Sequence, residues 1–220
     1  MFILQVLKTT IKRFYDNSFY LVIINLIWSF TMGFLGTFGY GAYQVGLNFF
    51  LIIPFVLAGP LTLSGIELAN QSYEEKEISI KPFFTGIRKY FKRGLKAFTF
   101  SFVVYLIFFL DFYYFPQLSI DSIIIYIMYA VILFLAVIFT IMQLYFWALL
   151  VVFPELSLIK LLKRSFVLTF DNLIFSILWL IIFVIIFGIL IYFRATIPAF
   201  FITLPGVYII TGTRMLLEKY

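Results

Sequence analysis

The chain contains no cysteine and no histidine, and charged side chains are scarce. These absences exclude disulfides, thiolate nucleophiles, imidazole metal ligands and any Ser-His-Asp or Cys-His catalytic arrangement. Charged residues make up 12% of the 220 residues, about half the usual share for a soluble domain. We therefore do not expect an enzyme, a metal site or a bound cofactor.

Long uncharged runs are what the chain has instead. Residues 17–66 form a stretch of fifty without one charged side chain, and further uncharged runs cover residues 122–154, 172–193 and 195–213. A bilayer core about 30 Å thick is crossed by roughly 20 apolar residues of helix, so the first run holds two crossings and a turn. We predict an all-α, polytopic membrane helical bundle forming a single domain over residues 1–220.

Six transmembrane spans, arranged as three hairpins, account for these runs. The predicted spans are residues 19–35, 47–68, 97–115, 125–153, 173–193 and 199–215. A cluster of glycines predicts the first outer turn: Gly33, Gly36, Gly39, Gly41 and Gly46. The other outer turns are predicted at residues 116–121 and around Arg194.

Basic amphipathic segments precede the outgoing spans. In residues 1–15 and 82–96 apolar side chains share one helical face and basic side chains the other, which is typical of helices that lie in the headgroup plane. Residues 156–170 form a third basic segment. The cations of the second segment are Arg88, Lys89, Lys92, Arg93 and Lys96. Attraction to anionic lipid headgroups explains them, and no nucleic-acid partner is expected.

The distribution of basic residues predicts the orientation. Of 16 Lys and Arg residues, only Arg194 falls on the side opposite the N-terminus. Cytoplasmic loops carry an excess of Lys and Arg, so both termini are expected in the cytoplasm, with the chain in the cell membrane. The flipped topology would place fifteen cations outside.

Four polar residues fall within or beside the spans: Asn25, Glu67, Asp111 and Gln143. A carboxylate inside a membrane is costly and points to function, whereas one at the boundary is an ordinary anchor. Both readings stay open for Glu67 and Asp111. Asn25 and Gln143 are interpreted as hydrogen-bond partners between helices, with a ligand contact as the alternative.

Small residues at helical spacing mark one face of the second span: Ala58, Thr62, Gly65 and Ala69. Such faces allow helices to approach closely in lipid. The stripe predicts packing inside this bundle. A face for another membrane protein, or for a second copy of the chain, is the alternative.

Several short motifs resemble the YesL-like family of bacterial multi-pass membrane proteins. They lie at residues 25–28, 53–62 and 82–93, with a fainter likeness over residues 146–172. Asp111 departs from the pattern, because a neutral polar residue is expected there. The resemblance implies a membrane protein often associated with carbohydrate-uptake systems, and it supplies no catalytic residues.

Three functional hypotheses follow. The first is a non-enzymatic protein that is accessory to a transport system, with the bilayer and a membrane protein as its partners. The second is a transporter or channel for a small solute or lipid, which needs an internal cavity. The third, an enzyme acting on lipid, is disfavoured because acid-base groups are so scarce.

Overall fold

The computed structural model describes residues 2–47, 50, 52–114, 123–193 and 197–219, and no strand occurs among them. The helices are α1 (Phe2–Asp16), α2 (Ser18–Gln44), α3 (Ile52–Tyr73), α4 (Lys81–Tyr114), α5 (Ile123–Val152), α6 (Leu158–Asp171), α7 (Leu173–Tyr192), α8 (Ile197–Phe200) and α9 (Thr203–Leu217). Six segments, with α8 and α9 counted together, are long and apolar enough to cross a bilayer. The prediction of an all-α polytopic membrane protein is confirmed.

The centre of the bundle is formed by α3 and α9. In their most apolar windows 56% and 61% of the residues are buried inside the protein, against 11–17% for α2, α4, α5 and α7. Large apolar side chains on these four outer helices are exposed, among them Phe30, Phe109 and Val184. In a bilayer this surface contacts lipid, so the outer helices shield the two central ones.

The most extensive contact between two helices joins α3 to α4, which run antiparallel. Gly59 and Gly94 meet where they cross, and a Cβ built on Gly94 would lie 2.7 Å from the Pro60 nitrogen. Beyond the crossing, the rings of Phe55 and Phe98 pack edge to face with their centroids 5.1 Å apart. Glycines at the crossing permit this close approach. In the predicted arrangement α3 and α4 belong to different hairpins. The two spans within each predicted hairpin also contact each other.

The first and the last described helices, α1 and α9, meet at one end of the bundle. The Lys219 ammonium lies 3.5 Å from the centre of the Phe2 ring. Arg13 at the end of α1 pairs with Glu75, which follows α3, at 2.7 Å. These contacts join α1, α3 and α9 on one side of the bundle. The side of the membrane that this end faces stays a prediction.

The predicted first turn is wrong for four of its five glycines. Helix α2 continues through Gly33, Gly36, Gly39 and Gly41 and ends at Gln44. Gly46, with a φ of 84°, lies in the turn that follows. Apolar residues separate the glycines, and in hydrocarbon a helix satisfies the backbone hydrogen bonds that an open turn would lose. The first span is therefore longer than predicted, and α3 begins at Ile52 rather than at residue 47.

The predicted surface helix over residues 82–96 and the span over residues 97–115 form one continuous helix, α4. Its buried residues recur every three or four positions across the predicted boundary: Phe83, Gly86, Tyr90, Gly94, Ala97 and Ser101. This spacing keeps one side of α4 against the core throughout. The basic residues therefore belong to a membrane helix rather than to a separate surface element.

The remaining spans differ less from their predicted bounds. Helices α5 and α7 agree with residues 125–153 and 173–193 to within two residues. The sixth span, predicted as continuous over residues 199–215, is interrupted between α8 and α9. The predicted turns at residues 116–121 and around Arg194 lie outside the described residues.

Candidate functional site

A cavity of about 230 Å³ lies between α3, α4, α5, α7 and the corner that joins α8 to α9. Most of its wall is apolar, and five of the lining residues are aromatic: Tyr105, Trp147, Phe183, Phe187 and Phe201. The polar side chains on the wall besides Tyr105 are Thr62, Thr140 and Gln143. Among the described residues, no charged side chain lines it. An uncharged, largely apolar molecule is the kind of occupant that such a wall suits.

Gln143 on α5 is the most buried polar side chain of this wall, with 6% of its surface exposed. Its amide meets the Ser101 hydroxyl on α4 at 2.8 Å, and the same hydroxyl lies 3.0 Å from the Ala97 carbonyl within α4. The Gln143 contact joins α5 to α4, as the sequence interpretation of Gln143 as an interhelical hydrogen-bond partner expects.

Two other polar side chains of the wall, Thr140 and Tyr105, form hydrogen bonds within the protein. The Thr140 hydroxyl donates to the Ala136 carbonyl at 2.7 Å, within its own helix. The Tyr105 hydroxyl donates to Thr140 Oγ1 at 3.3 Å. Serine and threonine commonly bond to the preceding turn of a membrane helix, since this satisfies the hydroxyl locally. Thr140 and Tyr105 are therefore satisfied without a ligand.

Asn25 stabilises the corner between the end of α8 and the start of α9, which forms one side of the cavity. Its Nδ2 atom donates to the Pro198 carbonyl at 2.6 Å. Its Oδ1 atom accepts from the backbone amides of Ile202 and Thr203 at 2.6 and 3.2 Å. Interrupted membrane helices need such partners for the backbone groups that the break leaves open. Asn25 is completely buried and holds the corner in place, so its role is structural.

Glu67 lies away from the cavity and takes part in a local cluster between α3 and α4. The Tyr90 hydroxyl donates to it at 2.9 Å, and the Lys89 ammonium lies 3.6 Å away. Its side chain keeps 17% of its surface exposed. Asp111 is half-buried, one turn before the described end of α4. The two carboxylates do not meet in one pocket.

The basic residues of α4 point mostly outward. Arg88, Lys89, Lys92 and Lys96 are exposed. Arg93 instead turns toward the end of α5, where its guanidinium donates to the Phe153 carbonyl at 2.9 Å and also to that of Pro154. It thereby satisfies carbonyls that the end of a helix leaves without partners. This role as a cap was not expected from the sequence.

The small-residue stripe of α3 is turned inward. Ala58 and Ala69 are 7% and 0% exposed. Gly65 lies against Ile202, whose side chain would stand 2.8 Å from an added Cβ. Thr62 is half-buried on the cavity wall. The stripe packs within the chain's own bundle and leaves no room there for a partner helix.

Of the four intramembrane polar residues, only Gln143 reaches the cavity. The described residues contain no group of three His, Cys, Asp or Glu side chains placed to hold a metal ion. The aromatic residues of the wall were not predicted to be functional, because nothing in an apolar run distinguishes a side chain that lines a cavity from one that faces lipid. The one available signal, a lone glutamine in the uncharged run at residues 122–154, did mark Gln143.

No known protein family, curated protein or solved structure matches this chain. The likeness to the YesL-like family therefore stays a prediction from the sequence motifs.

Proposed function

We propose that this integral membrane protein is a non-enzymatic binder of a small uncharged molecule and takes it up from the bilayer, as a transporter or channel for small solutes would. The observation that carries the proposal is the cavity lined by five helical segments. Sites for small molecules are concave and mostly apolar, with few polar groups, and in bundles they lie between helices. The basic residues favour the cytoplasmic membrane with both termini inside.

The arrangement of the polar groups supports an uncharged rather than a charged solute. Asn25 is bonded to the backbone, and Glu67 is bonded to Tyr90 and paired with Lys89. Neither lines the cavity. The described residues give this cavity no charged side chain. Moving an ion into apolar surroundings without a compensating charge is strongly unfavourable.

The first hypothesis from the sequence was an accessory role beside a transport system. That role is compatible with the same fold. The small-residue stripe that offered a docking face is occupied by the chain's own helices. The accessory role therefore has no docking surface assigned to it in the described part of the chain, and the cavity supports the solute-binding role better.

Filling the cavity tests the proposal. Trp147 lines the cavity, so saturable binding of 2-phenylpropene or acetophenone should change its fluorescence in purified protein, and Trp147→Phe should remove that change. Thr140→Phe places a ring in the cavity and should abolish saturable binding. Leu133→Phe adds a ring on the same helix at a side chain that is 51% exposed, and it should leave binding intact.

Two results would contradict the proposal. The first is a wild-type signal that only rises linearly with the probe, as simple partition into the lipid would give. The second is equal binding by the Thr140→Phe and Leu133→Phe proteins, because the cavity would then not be the site.

A further inference from the structure

The basic residues of α4 and α6 meet at the turn that follows α5. The Arg93 guanidinium of α4 donates to the Phe153 carbonyl at 2.9 Å and also to that of Pro154. The Arg164 guanidinium of α6 lies over the Phe153 ring, 4.4 Å from its centre. One residue of the turn therefore contacts an arginine from each helix, and two basic segments that are separate in the sequence form one surface.

Each of the two arginines has further cations beside it on its own helix. Residues three or four positions apart are neighbours on a helix surface. The α4–α6 patch, as we call this surface, consists of six cations, three from each helix: Lys89, Arg93, Lys96, Lys160, Lys163 and Arg164. Five of the six are exposed, and Arg93 is half-buried. None of them lines the cavity, so the patch is separate from the proposed solute site.

Few carboxylates neutralise the α4–α6 patch. Glu67 lies 3.6 Å from the Lys89 ammonium, and the exposed carboxylate of Glu155 attracts Arg93. The remaining four cations form no ion pair with a described residue. An excess of positive charge therefore remains around the turn.

The position of Arg164 leaves its hydrogen-bond donors available. A guanidinium that stacks on a ring uses its flat face, whereas its five N–H donors lie in its plane and point outward from its edge. Arg164 is exposed and donates no hydrogen bond to a described residue. Its planar fork of donors can bind two oxygens of one phosphate. Arg164 therefore offers the geometry for a phosphate group beside the turn.

An exposed apolar strip continues from the cations of α4. Phe100, Val103 and Ile107 follow Lys96 at helical spacing, so they lie on the same side of the helix. They are 37%, 46% and 52% exposed. The helix from Lys96 to Ile107 is roughly 16 Å long, which is about half of the 30 Å bilayer core and so the depth of one leaflet. A surface with cations at one end and an apolar strip of this length beyond them matches a phospholipid better than a soluble anion.

We infer that the α4–α6 patch binds one anionic phospholipid, with its phosphate between Arg164 and the cations of α4 and an acyl chain along the strip from Phe100 to Ile107. General attraction to anionic headgroups depends on the number of cations near the surface, whereas a binding site depends on which cations are present. In the proposed topology the patch faces the cytoplasmic leaflet, whose lipids carry anionic headgroups.

Paired charge removals separate a site from general attraction. Purified protein is titrated with phosphatidylglycerol or with phosphatidylcholine of the same acyl chains, and the bound lipids are counted by native mass spectrometry. The site variant combines Lys96→Gln with Arg164→Gln, and the matched control combines Lys8→Gln with Arg88→Gln. Each variant removes one lysine and one arginine that are exposed. Arg88 stands five positions before Arg93, which places it on the other side of α4.

We expect wild-type protein to bind one phosphatidylglycerol more tightly than phosphatidylcholine, because choline cancels the phosphate charge. The site variant should weaken phosphatidylglycerol binding about 25-fold, since each cation near an anionic headgroup contributes roughly fivefold. The control variant should bind as wild type does. Equal weakening in the two variants would overturn the inference in favour of general attraction. Displacement of the lipid by inorganic phosphate would also overturn it, because a soluble anion would then be the occupant.

A second measurement uses wild-type protein alone and does not depend on the folding of a variant. Phosphatidylglycerol with a photoreactive group midway along one acyl chain is bound and irradiated, and the labelled residues are mapped by peptide mass spectrometry. Labelling should concentrate on α4 around Val103 and Ile107, and phosphatidylcholine of the same design should label this strip less. Labelling that is spread evenly over the exposed faces of α2, α4, α5 and α7 would overturn the inference.

Discussion

Replacing Gly94 by alanine tests whether the contact between α3 and α4 holds the bundle together. The added Cβ would lie 2.7 Å from the Pro60 nitrogen and 2.8 Å from the Gly59 carbonyl carbon. Because van der Waals contact between such atoms begins at about 3.5 Å, the two helices must move apart by about 0.8 Å. A gap of that size loses roughly a quarter to a half of the dispersion energy of each atom pair across the interface. The obstructing atoms are backbone, so side-chain rotation cannot relieve the clash. We expect the free energy of unfolding to fall by about 3 kcal/mol, at the upper end of overpacking effects.

The measurement is equilibrium unfolding of the purified protein in mixed micelles, followed by circular dichroism. Gly33→Ala is the matched control, since an added Cβ there meets nothing within 4 Å and the position lies inside α2. Removing a glycine from the interior of a helix should raise stability by about 0.5–1 kcal/mol. If Gly94→Ala proved as stable as wild type, the close crossing would not be a feature of the folded protein.

Two further perturbations address the corner beside the cavity and the polar end of the bundle. Asn25→Ala removes three hydrogen bonds to the backbone of the α8–α9 corner and should lower the free energy of unfolding by about 2–4 kcal/mol. The control Ser29→Ala removes one long hydrogen bond and should lower it by less than about 1 kcal/mol. Equal effects of the two substitutions would contradict the structural role of Asn25. The hydrogen bond from Lys76 and the charge of Arg214 lower the pKa of Glu74 below its usual value of 4.5, so Glu74 should stabilise the fold above pH 4.5 and lose that effect as the pH falls through its folded pKa. Melting temperatures at stepwise lower pH should show a decline that Glu74→Gln reduces, and an unchanged decline in that variant would refute the assignment.

The membrane character of the chain could be predicted from sequence because it depends on the length of uncharged runs. Helices α5 and α7 were predicted to within two residues at each described end, since charged or turn-forming residues stand close to their boundaries. The error at α2 has a different origin. Glycine marks turns in water, but within hydrocarbon the helix is the conformation that satisfies the backbone. The five glycines were therefore interpreted by a rule that suits a different solvent.

The continuity of α4 shows a second limit of sequence reasoning. Clustered cations around Arg88 and Lys92 indicated a surface element that ends where the span begins. Helix α4 passes through this boundary because residues 87–97 contain no helix breaker other than Gly94, and that glycine lies at the crossing with α3. Charge patterning predicted the polarity of the segment and did not predict its helical limits.

The cavity could not be predicted, because its wall combines residues from segments that are up to about 147 positions apart in sequence, from Thr62 to Ile209. Each wall residue is an ordinary apolar or aromatic member of its own helix. The sequence could supply a short set of polar groups to be explained, and two of the four have partners away from the cavity wall. Asn25 bonds to the backbone of the α8–α9 corner, and Glu67 joins α3 to α4. Asp111 lies near the described end of α4 and does not line the cavity.

Gln143 differs from these three because it lines the cavity. A polar side chain in the interior of a membrane protein is unfavourable unless its hydrogen bonds are made within the fold. The Ser101 hydroxyl meets the Gln143 amide at 2.8 Å and joins α4 to α5 beside the cavity. The space is about 230 Å³, lined by side chains from five helical segments, whereas about 150 Å³ is enough to hold benzene. A space of this size exceeds an ordinary packing defect, and this is the physical reason for assigning the cavity to ligand binding.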